Sequence, residues 1–204
     1  MNEDDVRRAW AGRSGEFSPE YYAYRGADET TARVRDLLER HVGRDARVLE
    51  VGCSVGRHLA HLLDHGFDRL TSIEVNDEAF AVMRETYPDL AERGTFHRDA
   101  VENVLPDLAT DAVDATFSVE TLQHIHPDAE WVFAELARVT ADLVVTVENE
   151  GDDADGGVNY VDEGLPLFYR DWGAVFEDLG LVEVAVHDGD RDTTRAFRHP
   201  ERID

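Results

Sequence analysis

The chain has 204 residues, 42% of them hydrophobic, which suits one compact domain with a real core. It carries 45 acidic against 20 basic residues, a formal net charge of -25, and every basic residue is an arginine. That balance argues against nucleic-acid binding, which needs a basic stripe, the apolar runs fall short of the ~18–20 residues that cross a bilayer, and a single cysteine, Cys53, excludes an internal disulfide framework.

The acids are spread along the whole chain rather than gathered in one patch. At about 1 M salt the Debye length falls to about 3 Å and self-repulsion is relieved, so the composition points to a salt-adapted, halophilic proteome. An acidic surface shaped for a basic partner is the competing reading. The opening "MNEDDVRRAW" lacks the basic-then-apolar layout of a signal peptide, so a cytoplasmic location is expected.

In chain order, residues 1–28 mix aromatics with turn formers and read as an irregular or helical cap. Residues 29–42, "ETTARVRDLLERHV", place Val34, Leu37, Leu38 and His41 at helical spacing. Together 1–42 form a cap and helix belonging to the same domain as 43–204. Short apolar strands follow at 46–51, 69–75, 95–99, 112–119 and 142–149. Helical patterns lie between them near 57–65, 78–86, 101–108 and 128–139. Such alternation implies a parallel sheet covered on both faces. A further helix near 169–179 ends at Gly180, and "LVEVAVHDGDRDTTRAFRH" reads as two strands around the turn Asp188-Gly189-Asp190.

The turn Gly52-Cys53-Ser54-Val55-Gly56 has two readings. As G-x-S-x-G it would present Ser54 as a nucleophile, but such an elbow follows several strands and a glycine-rich oxyanion loop, and here the first strand leads straight into it. As a ligand turn it lacks the second and third glycines of a dinucleotide fingerprint, and a chain without lysine has no P-loop. What remains is Glu50, Gly52 and Gly56 at the first strand's end, Glu74 at the second and Asp99 at the third. Glu74 is placed to accept hydrogen bonds from a ribose diol, and Asp99 from an adenine amine. The ligand expected is an adenosine without a pyrophosphate.

The stretches "VLEVGCSVGRHL" (48–59), "SIEVNDEAF" (72–80), "RDAVENV" (98–104) and "VDATFSVETLQHIHP" (113–127), in this order, resemble the class I S-adenosylmethionine-dependent methyltransferases. Ser54 stands where many members have glycine, and Glu50 and Glu74 replace commoner aspartates. More loosely, "SIEVN", "HIHP" and "LPLFYRDW" (165–172) are similar to a subgroup associated with surface-sugar and nonulosonic-acid biosynthesis.

The resemblance implies an α/β, Rossmann-like, doubly wound and mostly parallel seven-stranded sheet ending in an antiparallel hairpin. It implies S-adenosyl-L-methionine as cofactor and a small polar acceptor, a sugar or another metabolite. Protein or RNA methylation and cofactor binding without catalysis are the alternatives. Gly52, Cys53, Ser54 and Gly56 would let the methionine end approach, with Cys53 a small buried apolar residue rather than a reactive thiol. Glu50 would orient the turn or reach the ligand amine through water. Val75 with Ala100 or Val101 would pack the adenine. Ser118 and Val119 would line the site near the methyl, and Arg25 would pair with the methionine carboxylate while Tyr21, Tyr22 and Tyr24 exclude water. His124 is the candidate general base, ahead of His126 and Glu120, because an ordinary imidazole titrates at about 6.5. No metal site is expected, and the acidic stretch 148–157 reads as a loop that shapes the acceptor pocket.

Overall fold

The computed structural model describes residues 1–15, 17–151, 157–161 and 165–203. Seven strands form one sheet: β1 (Arg47–Val51), β2 (Arg69–Glu74), β3 (Thr95–Arg98), β4 (Val113–Val119), β5 (Thr140–Glu148), β8 (Val182–Asp188) and β9 (Thr193–Arg198). Their order is β3-β2-β1-β4-β5-β9-β8. The first five run parallel, while β9 lies antiparallel between β5 and β8. This is the Rossmann-like, mostly parallel seven-stranded sheet with a terminal antiparallel hairpin that was expected. A separate antiparallel pair, β6 (Val158–Val161) with β7 (Leu165–Phe168), was not anticipated. The middle of the expected acidic loop, residues 152–156, lies outside the described residues.

The central parallel strands β1, β4 and β5 are largely buried on both faces because both faces are covered. In β1, Val48 turns into a core shared with Val34, Leu37 and Leu38 of α3 (Glu29–His41) and Leu59 and Leu62 of α4 (Arg57–Asp64). Leu49 and Val51 turn into the opposite core. There they join Val132, Phe133 and Leu136 of α8 (Trp131–Val139) and Trp172 and Phe176 of α9 (Trp172–Asp178). α5 (Asp77–Thr86) contributes Phe80 and Met83 to the first core, and α7 (Val101–Val104) closes an end of the second.

Local chemistry fixes the element ends. Asp28 caps α3 through a reciprocal box with Thr31. Gly180, with φ +86°, follows α9 as expected of a helix stop. Residues 88–93 form a short helix, α6, begun by Pro88 in a place where no element was expected.

The cap is helical. α1 (Glu3–Ala11) has an N-terminal box between Asn2 and Asp5, and α2 (Pro19–Arg25) is capped by Ser18. The end of α1 is tied to the sheet by Asn76, whose Nδ2 donates to the Trp10 carbonyl at 3.3 Å and to that of Arg13 at 3.4 Å. Among the described residues, no helix is long and apolar enough to cross a membrane.

Candidate active site

Strand order reverses between β1 and β4, which opens a crevice at the carboxyl ends of the strands. One cavity occupies it. Its floor is Gly52, Cys53 and Ser54 after β1, Glu74, Val75 and Asn76 after β2, and Asp99, Ala100 and Val101 after β3. Val119, Glu120, Thr121 and His124 close the side after β4. Val6, Trp10, Arg13 and Phe17 from the N-terminal cap form the roof.

The turn after β1 is built for close approach. Gly52 has φ +72°, and a Cβ added to it would lie 2.3 Å from Thr121 Oγ1. Its amide donates to the Ile73 carbonyl at 2.9 Å, and the Gly56 amide to that of Cys53 at 2.8 Å. Ser54 also takes a positive φ of 49°. Its amide donates to Glu74 Oε2 at 2.8 Å, and the Asn76 amide donates to Glu74 Oε1 at 2.7 Å. Glu74 thus sits on the cavity wall and braces the turn beside it. Burial pushes its carboxyl above the usual range, and the amides of Asn76, Ser54 and Val75 oppose that shift. Asp99 stands exposed at the rim, its Oδ1 accepting from Ala100 N and Asn103 Nδ2, each at 2.7 Å. The Asn103 amide first, and the Ala100 amide second, hold its carboxyl below the usual range.

Four expected residues stand elsewhere. Glu50 is fully buried under the turn, off the cavity wall, and its Oε2 has no hydrogen-bond partner among the described residues. Burial keeps its carboxyl well above the ordinary range. It is not a solvated acid. Gly56 faces away, and a Cβ there would meet Leu90 Cδ2 at 2.7 Å and Met83 Cε at 2.9 Å. Its positive φ of 78° serves the start of α4. Ser118 points beneath the surface, its Oγ donating to Glu148 Oε1 at 2.7 Å. Arg25 is exposed, 5.7 Å from the Tyr21 ring, and lies outside this cavity. Of the three tyrosines only Tyr22 lines it, and Tyr24 is 95% exposed.

Cys53 is buried, with Ser72 Oγ donating to its sulfur at 3.0 Å. Burial raises its thiol well above the ordinary range, which disfavours the thiolate.

His124 reaches the cavity with its Nδ1 3.1 Å from the Pro166 carbonyl and its ring 4.5 Å from that of Trp10. A carbonyl only accepts, so Nδ1 carries the proton and Nε2 carries the lone pair, 3.5 Å from the Gln123 Nε2 donor. Burial pushes the imidazole down to about 4, against the opposing Pro166 carbonyl. It is therefore neutral at physiological pH, and a weaker base than its unperturbed value implied.

Several residues of this site were not singled out from sequence. Glu148, at the end of β5, is fully buried. Its oxygens accept from Ser118 Oγ and from the amides of Thr121 at 3.2 Å, Leu122 at 3.0 Å and Gln123 at 3.2 Å. It thereby fixes the loop that carries His124. Burial pushes it up to about 7 despite these donors. Arg57 lines the cavity with Nη1 donating to Asp28 Oδ2 at 2.6 Å and to the Gly26 carbonyl at 3.0 Å. Glu102 is buried on the wall 4.0 Å from Arg7 of α1. Only an acid at a strand end was available as a signal for Glu148. Its burial is set by β9 and by the loop after β4, which are distant in sequence.

Comparison with known proteins agrees with this fold. Residues 48–142 match the family model described as a methyltransferase domain. An O-methyltransferase of Pyrenophora dematioidea is 27% identical over 112 residues, covering 55% of this chain and 41% of that relative, so the match spans about two-fifths of the relative's length. The structure of Burkholderia thailandensis 1,6-didemethyltoxoflavin-N1-methyltransferase, with its substrate and S-adenosylhomocysteine, superposes with a TM-score of 0.70. It is 16% identical and covers 97% of this chain and 86% of that one. Streptomyces coelicolor geranyl diphosphate C-methyltransferase gives a TM-score of 0.68 at 11% identity, covering 97% of both chains. Residues 48–142 are thus similar to a methyltransferase domain, and the fold is that of the solved methyltransferases named here.

Proposed function

We propose that the protein transfers a methyl group from S-adenosylmethionine to a small polar acceptor, a sugar or another metabolite of similar size, bound between Val119, Glu120 and His124. The observation that carries this reading is the single cavity running from the Gly52–Ser54 turn to His124 beneath α1. The residues present fit the cofactor. Glu74 offers its carboxyl at the end of β2, Asp99 stands at the rim, and Val75, Ala100 and Val101 supply apolar walls. Gly52 leaves room only for backbone.

When bound, S-adenosylmethionine supplies a methyl group that is already electrophilic on its sulfonium, so the protein's share is mainly alignment. Glu148 holds the Thr121–Gln123 amides, and Thr121 abuts Gly52, so the loop on the acceptor side is keyed to the turn on the cofactor side. Neutral His124 presents Nε2 as a hydrogen-bond acceptor that orients a hydroxyl or amine and receives its proton late. The Trp10 Nε1 donor is buried without a partner among the described residues, on the same side of the cavity as His124. A buried donor of this sort favours an acceptor that carries an oxygen.

The three relatives named above are an O-, an N- and a C-methyltransferase, so the fold does not choose the accepting atom. A cavity roofed by α1 supports a small molecule rather than a protein or RNA chain. Calorimetric titration with S-adenosylhomocysteine tests the reading. Saturable binding with one molecule per chain is expected, and absence of binding in dilute and in molar potassium chloride removes it.

A further inference from the structure

A second cavity adjoins the first, and Phe17, Arg57, Val119, Glu120 and Arg191 stand on both. Four arginines line it: Arg25, Arg33, Arg57 and Arg191. With 45 acids to 20 arginines, an arginine in this chain ordinarily finds a carboxylate. Many do: Arg195 pairs with Glu150 and Glu183, Arg198 with Asp142, and Arg47 with Asp114. Arg25, Arg33 and Arg191 make no ion pair within 4.0 Å among the described residues. Three such guanidiniums around one cavity mark it against an otherwise acidic surface.

Four acids share the lining, Asp28, Glu120, Asp190 and Asp192, and the first and last are engaged by neighbours. Asp28 is engaged by Arg57 at 2.6 Å and by the Thr31 amide at 3.0 Å. Burial opposes its ionisation, but these donors hold it down to about 2. Asp192 is crowded by Glu120. Burial first, and the Glu120 carboxylate second, push its carboxyl up, against the Arg191 guanidinium nearby. Asp190 is exposed at the hairpin turn. Thr30, at the start of α3, adds a hydroxyl to the lining.

We propose that this cavity binds an anionic group of the methyl acceptor, a carboxylate or a phosphate, while the accepting atom lies at Val119 and Glu120 where the two cavities meet. Guanidinium forks match the paired oxygens of either group. The inference deepens the methyltransferase reading and rests on it for the word acceptor.

The test is calorimetry with inorganic phosphate and, separately, with acetate, at fixed ionic strength and with S-adenosylhomocysteine present or absent. Arg33 and Arg25 line only the second cavity, which makes them the residues to change. Saturable binding of at least one probe is expected in the wild type. It should be weakened roughly tenfold or more by Arg33→Ala and by Arg25→Ala, with S-adenosylhomocysteine affinity retained. Arg84→Ala, on α5, should behave as wild type. Tighter phosphate than acetate supports a phosphorylated acceptor, and the reverse a carboxylate. If neither probe saturates on the wild type, or if both variants bind them undiminished, the proposal is overturned. Failure of S-adenosylhomocysteine to bind the wild type would sink the methyltransferase reading separately, whatever the anions do.

Discussion

Glu74 shows how much one side chain can be asked to do. Its two oxygens already hold the Ser54 and Asn76 amides, and Asn76 in turn holds the end of α1. Glu74→Ala should therefore weaken S-adenosylhomocysteine binding by roughly ten- to a hundredfold, since hydrogen bonds to a charged group are worth ~1.5–3 kcal/mol. Unchanged affinity in calorimetry would remove the ribose assignment. His124 makes a different point. Its position was legible in "SVETLQHIHP", but its titration was not, because the burial that lowers it comes from Trp10 and from the segment at Pro166. A folded value of about 4, below the ordinary 6.5, means the unfolded chain binds the proton first. The stability it confers is present above pH ~6.5 and is lost as pH falls through about 4, amounting to roughly 3 kcal/mol. Urea melts at pH 7 and pH 4.5 should show the wild type losing more stability than His124→Gln across that interval. Parallel losses would contradict the buried, neutral imidazole.

Among the elements, the two glycines of one turn have separate duties. Both have a positive φ, at Gly52 and at Gly56, so any side chain is strained there by ~1–3 kcal/mol. What the added carbon meets differs: Thr121 on the cavity wall for Gly52, Met83 and Leu90 in the core for Gly56. Gly52→Ala is expected to lose most cofactor affinity. Gly56→Ala should lower the melting temperature while the folded protein still binds S-adenosylhomocysteine. Thermal melts paired with calorimetry separate the two, and an unchanged affinity in Gly52→Ala would refute the close-approach role.

The sheet strands were readable because each is a short apolar run bounded by turn formers, as in "ARVLEV" before Gly52. α6 was not, since "PDLAER" gives it only Leu90 and Ala91 to bury and a proline to start it. The β6–β7 pair escaped because its strands have four residues each and Pro166 interrupts the second pattern. Ser118, expected to line the site near the methyl, stands off the cavity for a simpler reason. Alternation along β4 puts it inward, and only the buried Glu148 opposite makes that position habitable for a hydroxyl.

At the scale of the whole molecule, a net charge of -25 weakens any compact state in dilute buffer. We expect the melting temperature to rise from low ionic strength to molar potassium chloride, as screening relieves that repulsion. A flat or falling trend would instead favour a dedicated basic partner. The central claim is that one cavity brings a methyl donor and a small acceptor together between Gly52 and His124. Incubating the protein with methyl-labelled S-adenosylmethionine and size-fractionated cell extract in molar potassium chloride tests it most directly. The account predicts label in the small-molecule fraction, abolished by Gly52→Ala, whereas label confined to protein or RNA, or none in any fraction, would contradict it.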